Sequence, residues 1–173
     1  MNGWLRAALC AAALLVAAQP GGVRAQAVAP REDKPVPKPI DPAPCRAAIA
    51  GADDDKTISA CTELIGSDAN PAQDRVTALL ARAAAYARKS EPDRAIADYT
   101  AALARDPALP DAWNARGELW RAKGDRPRAV MDFAAALRVD PQHAAARANQ
   151  KSLAQEIERL GVGMPARPTP KGP

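Results

Sequence analysis

The chain has 173 residues, of which 47% are hydrophobic, 25% are charged and 3% are aromatic, and its formal net charge is +4. This length is enough for one domain with a modest core. The charges alternate in sign along the chain and form no basic stripe that would neutralise many phosphates, so the composition excludes a nucleic-acid-binding protein.

The first segment, residues 1–25, has the pattern of an export signal. Arg6 precedes an uncharged apolar run from Ala7 to Ala18, and small residues follow at two spacings that a signal peptidase reads. This run is short against the roughly 20 residues that span a bilayer. We therefore predict a bacterial protein that is periplasmic or secreted, with no stable membrane span after cleavage. A retained membrane anchor is the alternative. Cleavage would remove Arg6 and Arg24 and lower the formal net charge from +4 to +2.

Proline is concentrated in residues 26–44 and again in residues 164–173. Such segments favour extended conformations and contribute little to a packed core. We predict a linker over 26–44 and a poorly ordered tail over 164–173. An inert linker is one interpretation of the first segment, and a spacer or a ligand for another module is the other.

The cysteine count predicts a disulfide. Cys10 would leave with the signal, so the mature chain keeps Cys45 and Cys61, an even number in an oxidising compartment. The sequence around Cys61 aligns with residues 95–100, which puts its side chain at an inward position of the repeat described next. We predict a bridge that closes a short, degenerate helical hairpin over residues 45–70; two buried free thiols are the alternative.

The centre of the chain repeats itself with a period of 34 residues, over 76–109 and 110–143. In each unit a first helix carries a large, a small and a large residue at i, i+4 and i+7, and a second helix carries a small, a large and a small residue at the same spacing. A proline closes the unit. The matched positions are Leu79, Ala83, Tyr86, Ala95, Tyr99, Ala102 and Pro107, and then Trp113, Gly117, Trp120, Ala129, Phe133, Ala136 and Pro141. We predict that they form the core of stacked helical hairpins.

These residues resemble the tetratricopeptide repeat (TPR), whose pattern of Trp, Gly, Tyr, Ala, Phe, Ala and Pro is nearly reproduced from Trp113 to Pro141. The resemblance covers two full units. It implies an all-α fold in which antiparallel helical hairpins stack as a short right-handed α-α superhelix with a C-terminal capping helix.

Both units depart from the family at one position, because Arg82 and Arg116 stand where an aliphatic residue is usual. Asp98 and Asp132 recur at the same period. A charge at an inward position needs a partner. We therefore predict that the arginines and aspartates form a ladder of ion pairs between neighbouring hairpins.

The pattern predicts seven helices within a domain over residues 45–163. Prolines lie at or beside most helix starts, and Gly124 and Gly161 follow helix ends. The predicted helices are 45–52, 55–66, 71–89, 92–105, 110–123, 127–139 and 142–160. The last is a capping helix, centred on 144–160, whose apolar residues cover the end of the stack; these residues are Ala146, Leu153, Ile157 and Leu160.

The resemblance implies that the first helices of successive hairpins line a concave groove that accepts a peptide or a partner's helix. On that face this chain has Leu80, Ala84, Ala87 and Arg88 from one unit, and Asn114, Glu118 and Arg121 from the next. These types suit a small apolar side chain, a peptide backbone and carboxylates. An ordinary solvated surface is the alternative. The lysine and asparagine set with which some relatives clamp a terminal carboxylate is not reproduced.

No catalytic residue, cofactor or metal site is predicted. The sequence has no nucleophile elbow and no glycine-rich phosphate loop, and its one histidine, His143, lacks a nucleophile partner. The acidic run 53–55 lacks the spaced ligands and the glycine of a calcium loop, and is predicted to begin a helix instead.

The sequence therefore predicts a non-catalytic exported adaptor or scaffold that binds a protein or peptide through its groove. The partner's identity is unknown, and extension of the stack into an oligomer stays open. The alternative is a cell-envelope module that binds a surface or a glycan through its proline-rich and basic tails.

Overall fold

The computed structural model describes residues 37–161. The predicted signal peptide, most of the predicted linker and the predicted tail lie outside these residues. The described part contains seven helices, α1 (Ala43–Ala50), α2 (Asp54–Gly66), α3 (Ala72–Arg88), α4 (Pro92–Arg105), α5 (Pro110–Ala122), α6 (Arg126–Val139) and α7 (Ala144–Arg159). Each predicted helix is present, and its ends lie within two residues of the prediction.

The helices pair as three hairpins, α1 with α2, α3 with α4 and α5 with α6, and each hairpin packs on the next. The seventh helix packs mainly on α6 and, over a smaller area, on α5. The predicted all-α superhelical repeat fold is confirmed.

The turn inside each hairpin uses one residue with left-handed backbone geometry. These residues are Ala52, Ser90 and Gly124, with φ of 52°, 59° and 80°. Only glycine adopts this geometry without steric cost from a Cβ atom. The second helix of two hairpins then begins at a side-chain cap, because Asp53 and Asp125 accept hydrogen bonds of 3.0 Å from the backbone N–H groups of Lys56 and Arg128.

The small residues of the repeat let paired helices approach closely. The closest approach is at Gly117, where a Cβ atom would lie 2.7 Å from Cε1 of Phe133. A side chain here would displace the ring, which explains glycine in the middle of a helix. Nine of the twelve predicted core residues are buried: Leu79, Ala83, Ala95, Tyr99, Ala102, Gly117, Ala129, Phe133 and Ala136.

The other three, Tyr86, Trp113 and Trp120, are only half-buried, so they are not part of the fully buried core. Trp113 and Trp120 still pack against buried clusters, and arginine side chains lie over all three rings. The guanidinium carbons of Arg94, Arg116 and Arg128 lie 5.5, 4.8 and 4.5 Å from the ring centroids of Tyr86, Trp113 and Trp120. The prediction that Leu160 covers the end of the stack is also wrong, because this side chain is 53% exposed.

Two buried ion pairs recur at the repeat period. Nε and Nη2 of Arg82 donate to the two carboxylate oxygens of Asp98 at 2.8 Å, and Arg116 contacts Asp132 in the same way. The side chains are 16% and 9% exposed in the first pair, and 15% and 6% in the second. The hydrogen bond to Asp98 raises the pKa of Arg82, which keeps the guanidinium charged.

The predicted ion pairs are therefore present, but the prediction that they join neighbouring hairpins is wrong. Each ion pair joins the two helices of one hairpin, because the arginine on the first helix points at its own second helix. The link to the preceding hairpin is a neutral hydroxyl: Nη1 of Arg82 donates to Thr62 Oγ1 at 2.8 Å, and Nη1 of Arg116 donates to Thr100 Oγ1 at 2.9 Å.

The first hairpin is closed by a disulfide between Cys45 and Cys61, with the two Sγ atoms 2.07 Å apart. Both cysteines are buried and pack against Leu64 and Ala78. The predicted bridge is present. It joins the short α1 to α2 where the longer hairpins use aromatic packing.

Replacing both cysteines by alanine is expected to lower the free energy of unfolding by about 3 kcal/mol, because the bridge restricts the unfolded chain over a separation of 16 residues. Urea unfolding with and without reductant measures this loss. Reductant should weaken the wild type and leave the double variant unchanged. A wild type that is indifferent to reductant would show that the bridge contributes nothing.

Ile40, just before α1, is hydrogen-bonded to the loop between α2 and α3. Ile40 N–H donates to Asn70 Oδ1 at 3.0 Å, and Asn70 Nδ2 donates back to the carbonyl oxygen of Ile40 at 2.7 Å. Asn70 itself is buried. The end of the segment predicted as a linker therefore contacts the hairpin stack.

Candidate partner-binding groove

The predicted groove residues of α3 form one apolar stripe. Leu80, Ala84 and Ala87 lie at i, i+4 and i+7, which is one face of a helix, and all three are half-buried. Leu80 packs against the buried clusters beneath it, beside Leu109. The stripe is therefore partly accessible to solvent, while Leu80 also packs on the buried core.

One end of this stripe is tied to the first hairpin by ion pairs. Arg88 donates to Asp54 Oδ1 from Nε at 2.9 Å and from Nη2 at 2.5 Å, and Lys89 Nζ lies 2.8 Å from Asp55 Oδ1. These hydrogen bonds raise the pKa of both basic groups. Asp54 and Asp55 form the first turn of α2, so the acidic run begins a helix as predicted.

The phenol of Tyr99 is influenced by one charged residue of α3 and by one of α5. Burial raises its pKa, the guanidinium of Arg88 opposes that rise, and the carboxylate of Glu118 adds to it. Both charges therefore lie within electrostatic reach of the phenol. Arg88, at the end of the α3 stripe, already has a partner in Asp54, and Glu118 on α5 is exposed.

The predicted groove residues of α5 contact α7, although Glu118 stays exposed. Asn114 is buried, and its Oδ1 accepts a hydrogen bond from Asn149 Nδ2 at 2.9 Å. The same Nδ2 lies 2.6 Å from Glu118 Oε1. Arg121 donates from Nε to Glu156 at 2.9 Å and from Nη2 to Ser152 Oγ at 3.0 Å. The polar groups of Asn114 and Arg121 are therefore used to hold α7.

Three residues of α7 that were not among the predicted groove residues complete the contact: Asn149, Ser152 and Glu156. The repeat period could have indicated one of them. Ser152 stands one repeat period after Glu118, so extending the period into α7 would have placed it beside the groove residues of α5. The structure thus divides the predicted groove into an accessible stripe on α3 and a polar contact between α5 and α7.

Glu156 makes this contact depend on pH. Hydrogen bonds from Arg121 and Arg126 lower the pKa of its carboxylate. A carboxylate whose pKa is lower in the folded state than in the unfolded state stabilises the fold at pH values above the ordinary glutamate pKa. This stabilisation is lost as the pH falls through the lowered pKa.

We expect Glu156→Gln to be less stable than the wild type at pH 7, and the difference to shrink as the pH falls below the ordinary glutamate pKa of about 4.3 and through the lowered value. Thermal unfolding across this range measures it. Glu158→Gln is the matched control, because Glu158 is exposed and forms no salt bridge among residues 37–161. A Glu156→Gln difference that stays constant as the pH falls below the ordinary glutamate range would contradict this electrostatic origin.

Among residues 37–161 no group of three or more His, Cys, Asp or Glu side chains is arranged to hold a metal ion. His143 caps α7, because its Nδ1 accepts from Ala146 N–H at 3.1 Å while Nε2 lies 2.9 Å from Asp111. In the same range no helix is both long enough and apolar enough to cross a membrane.

No known family model and no curated protein matches the sequence. Solved structures do match the fold. The TPR domain of Arabidopsis OM64 is 26% identical with a TM-score of 0.57, covering 66% of this chain and 92% of that domain. The first TPR of Spaghetti (RPAP3) bound to an HSP90 peptide is 19% identical with a TM-score of 0.60, covering 70% and 99%. The second TPR domain of human RPAP3, in complex with an HSP70 peptide, is 21% identical with a TM-score of 0.57, covering 64% and 88%.

Proposed function

This chain is a TPR-like helical-repeat protein, and we propose that it is a non-catalytic scaffold that binds a protein or peptide partner along the accessible face of α3. The observation that carries the proposal is the half-buried stripe of Leu80, Ala84 and Ala87. Apolar positions that stay accessible on a rigid helix are typical of a surface that a partner covers.

The chemistry of this face favours a partner segment with small apolar side chains. Two of the three stripe residues are alanines, which leave room for a chain to approach the helix closely. Glu118 on α5 is exposed, and its Oε1 already accepts hydrogen bonds from Asn149 and Asn114, so its second carboxylate oxygen is the one available to a peptide backbone or a cationic side chain. Arg88 already pairs with Asp54, so a carboxylate of the partner would have to share that cation.

Two of the similar structures support this mode of binding. The RPAP3 domains were solved with an HSP90 peptide and with an HSP70 peptide. Their likeness to this chain lies in the fold, and the stripe on α3 supplies the independent argument for binding. Asn114 and Arg121 belong to the proposed site only at its edge, because α7 holds their polar groups.

We further propose that the protein works outside the cytoplasm, in the periplasm or after secretion. The signal-like sequence of residues 1–25 supports this, and so does the disulfide between Cys45 and Cys61, since such bonds persist in oxidising compartments. The proposed partner is therefore a protein of the cell envelope or of the secreted fraction.

Affinity capture from the native envelope, followed by mass spectrometry, tests the groove. Ala84→Glu puts a charge into the apolar stripe and should remove the specific partner. Ala97→Glu makes the same change on an exposed face of α4 and should retain it. Circular dichroism confirms that both variants fold.

Deletion of residues 164–173 tests the alternative in which the tails bind a surface or a glycan. If the partner binds the groove, the chain without residues 164–173 should still capture it. Loss of the partner in the deleted chain, with its retention in Ala84→Glu, would replace the proposed function by tail binding. An identical partner set in every variant would contradict both.

A further inference from the structure

A second groove lies on the other side of α7, between α6 and α7. It encloses about 760 Å³ and has an apolar floor and a basic rim. Its lining residues are Val130, Leu137, Pro141, Arg147, Gln150, Lys151 and Ala154. We refer to it as the α6–α7 groove. It shares none of its lining with the proposed partner-binding face of α3.

The repeat period identifies what this groove corresponds to in the preceding hairpin. The four lining residues of α7 stand 34 residues after Trp113, Arg116, Gly117 and Trp120. Those α5 residues hold the second helix of their own hairpin, with Gly117 against Phe133 and Arg116 paired with Asp132. The α6–α7 groove is therefore the position of a second helix that would follow α7.

The floor of the groove supports the same correspondence. Val130 and Leu137 stand one period after Ile96 and Leu103 of α4. Ile96 and Leu103 are 7% and 5% exposed, whereas Val130 and Leu137 are only partly buried. The α6 residues thus lack a cover that their α4 counterparts have.

No helix within residues 37–161 lies over this groove, because all seven helices already have a place in the stack. Among the described residues the groove is therefore open to a helix that the stack does not supply.

The rim determines the chemistry of that helix. Arg147 and Lys151 replace the tryptophan and glycine of the preceding unit, so an aromatic ring placed like that of Phe133 would meet a lysine. Both side chains are exposed, and neither forms a salt bridge within residues 37–161; Arg147 donates only to Gln142 Oε1, at 3.0 Å. Two unneutralised cations beside an apolar floor attract carboxylates.

We propose that the α6–α7 groove binds an amphipathic helix of a partner protein, with an apolar stripe on Val130, Leu137 and Ala154 and with carboxylates facing Arg147 and Lys151. The helix takes the place of the missing second helix and lies antiparallel to α7. This contact goes beyond the proposed function, because it uses a different face of the stack and a different partner conformation.

A labelled peptide of residues 125–140 is a suitable probe, because α6 already fits the equivalent position in its own hairpin. The test peptide carries Phe133→Glu and Val139→Glu, and the matched control peptide carries Phe133→Lys and Val139→Lys. Fluorescence anisotropy measures binding to the full chain. The glutamate peptide should bind at least about tenfold more tightly than the lysine peptide, because two attractive pairs become repulsive.

Charge reversal in the protein locates the contact. Lys151→Glu should weaken the glutamate peptide about tenfold and strengthen the lysine peptide. Arg46→Glu makes the same change in net charge on α1, at the opposite end of the stack, and should leave the preference intact.

Equal binding of both peptides, no binding of either, or equal effects of Lys151→Glu and Arg46→Glu would overturn the proposal. Sedimentation of the protein alone tests whether a second copy of this chain occupies the groove. Self-association that disappears in Lys151→Glu would assign the groove to a second copy of this chain and would likewise overturn it.

Discussion

Replacing Asp132 by alanine is expected to lower the free energy of unfolding by about 3 kcal/mol, because it leaves the guanidinium of Arg116 without its counterion in a buried place. The two side chains are 15% and 6% exposed, so water screens the loss only weakly. For a domain of ordinary stability this is a large fraction of the total. Urea unfolding followed by circular dichroism measures it.

The double variant Arg116→Met/Asp132→Leu separates the cost of an unpaired charge from the value of the pair. Removing both charges should restore most of the lost stability, since hydrophobic replacements of a buried pair are often neutral or favourable. Asp98→Ala is the matched control in the other hairpin and should lose a similar amount. An Asp132→Ala protein within about 0.5 kcal/mol of wild type would contradict the buried pair.

Phe133→Ala is expected to lower the free energy of unfolding by about 3 to 5 kcal/mol, the range for emptying a fully buried aromatic site. Phe133 is among the largest side chains with no exposure, and its cluster includes Leu153 and Ile157 of α7. The loss should therefore loosen α7 as well as α6. Thermal unfolding gives the first effect, and amide hydrogen exchange in α7 gives the second.

Trp120→Ala is the control for this position in the stack. The indole is larger than the phenyl ring but is only half-buried and covered by Arg128. We therefore expect it to lose less stability than Phe133→Ala. The reverse order would contradict the packing described for α5 and α6.

The local sequence predicted the helices well, because their signals are local. Proline at helix starts and glycine after helix ends fixed the bounds to within two residues. The repeat period also placed the small residues that allow close helix packing. Cys61 could be assigned inward because it aligned with an aromatic position of the next hairpin.

The sequence did not predict features that depend on which helix faces which. The period placed Arg82 and Asp98 in the same unit but did not show that they contact each other there, with Thr62 as the link to the preceding hairpin. Likewise, Asn114 and Arg121 sit at groove positions by spacing, and only the packing of α7 shows that their polar groups are occupied. The partial exposure of Trp113 and Trp120, whose rings lie under the guanidinium groups of Arg116 and Arg128, also depends on helix packing, which hydrophobic spacing alone does not reveal.

The two proposed binding surfaces lie on different faces of the stack and suit different partner segments. The stripe on α3 suits a chain that approaches closely, while the α6–α7 groove suits a helix with carboxylates. A scaffold of this kind would bring two different partner segments together on one short repeat domain. Because the Ala84→Glu and Lys151→Glu changes lie on different helices, each surface can be removed while the other is kept.

Site-specific photocrosslinking shows whether a partner binds along the face of α3. A photoreactive benzoylphenylalanine at position 84 lies in the apolar stripe, and the same residue at position 97 reports on the exposed face of α4. We expect a specific crosslinked partner from position 84 and none from position 97. Crosslinking from position 97 alone, or equally from both, would contradict binding along the face of α3.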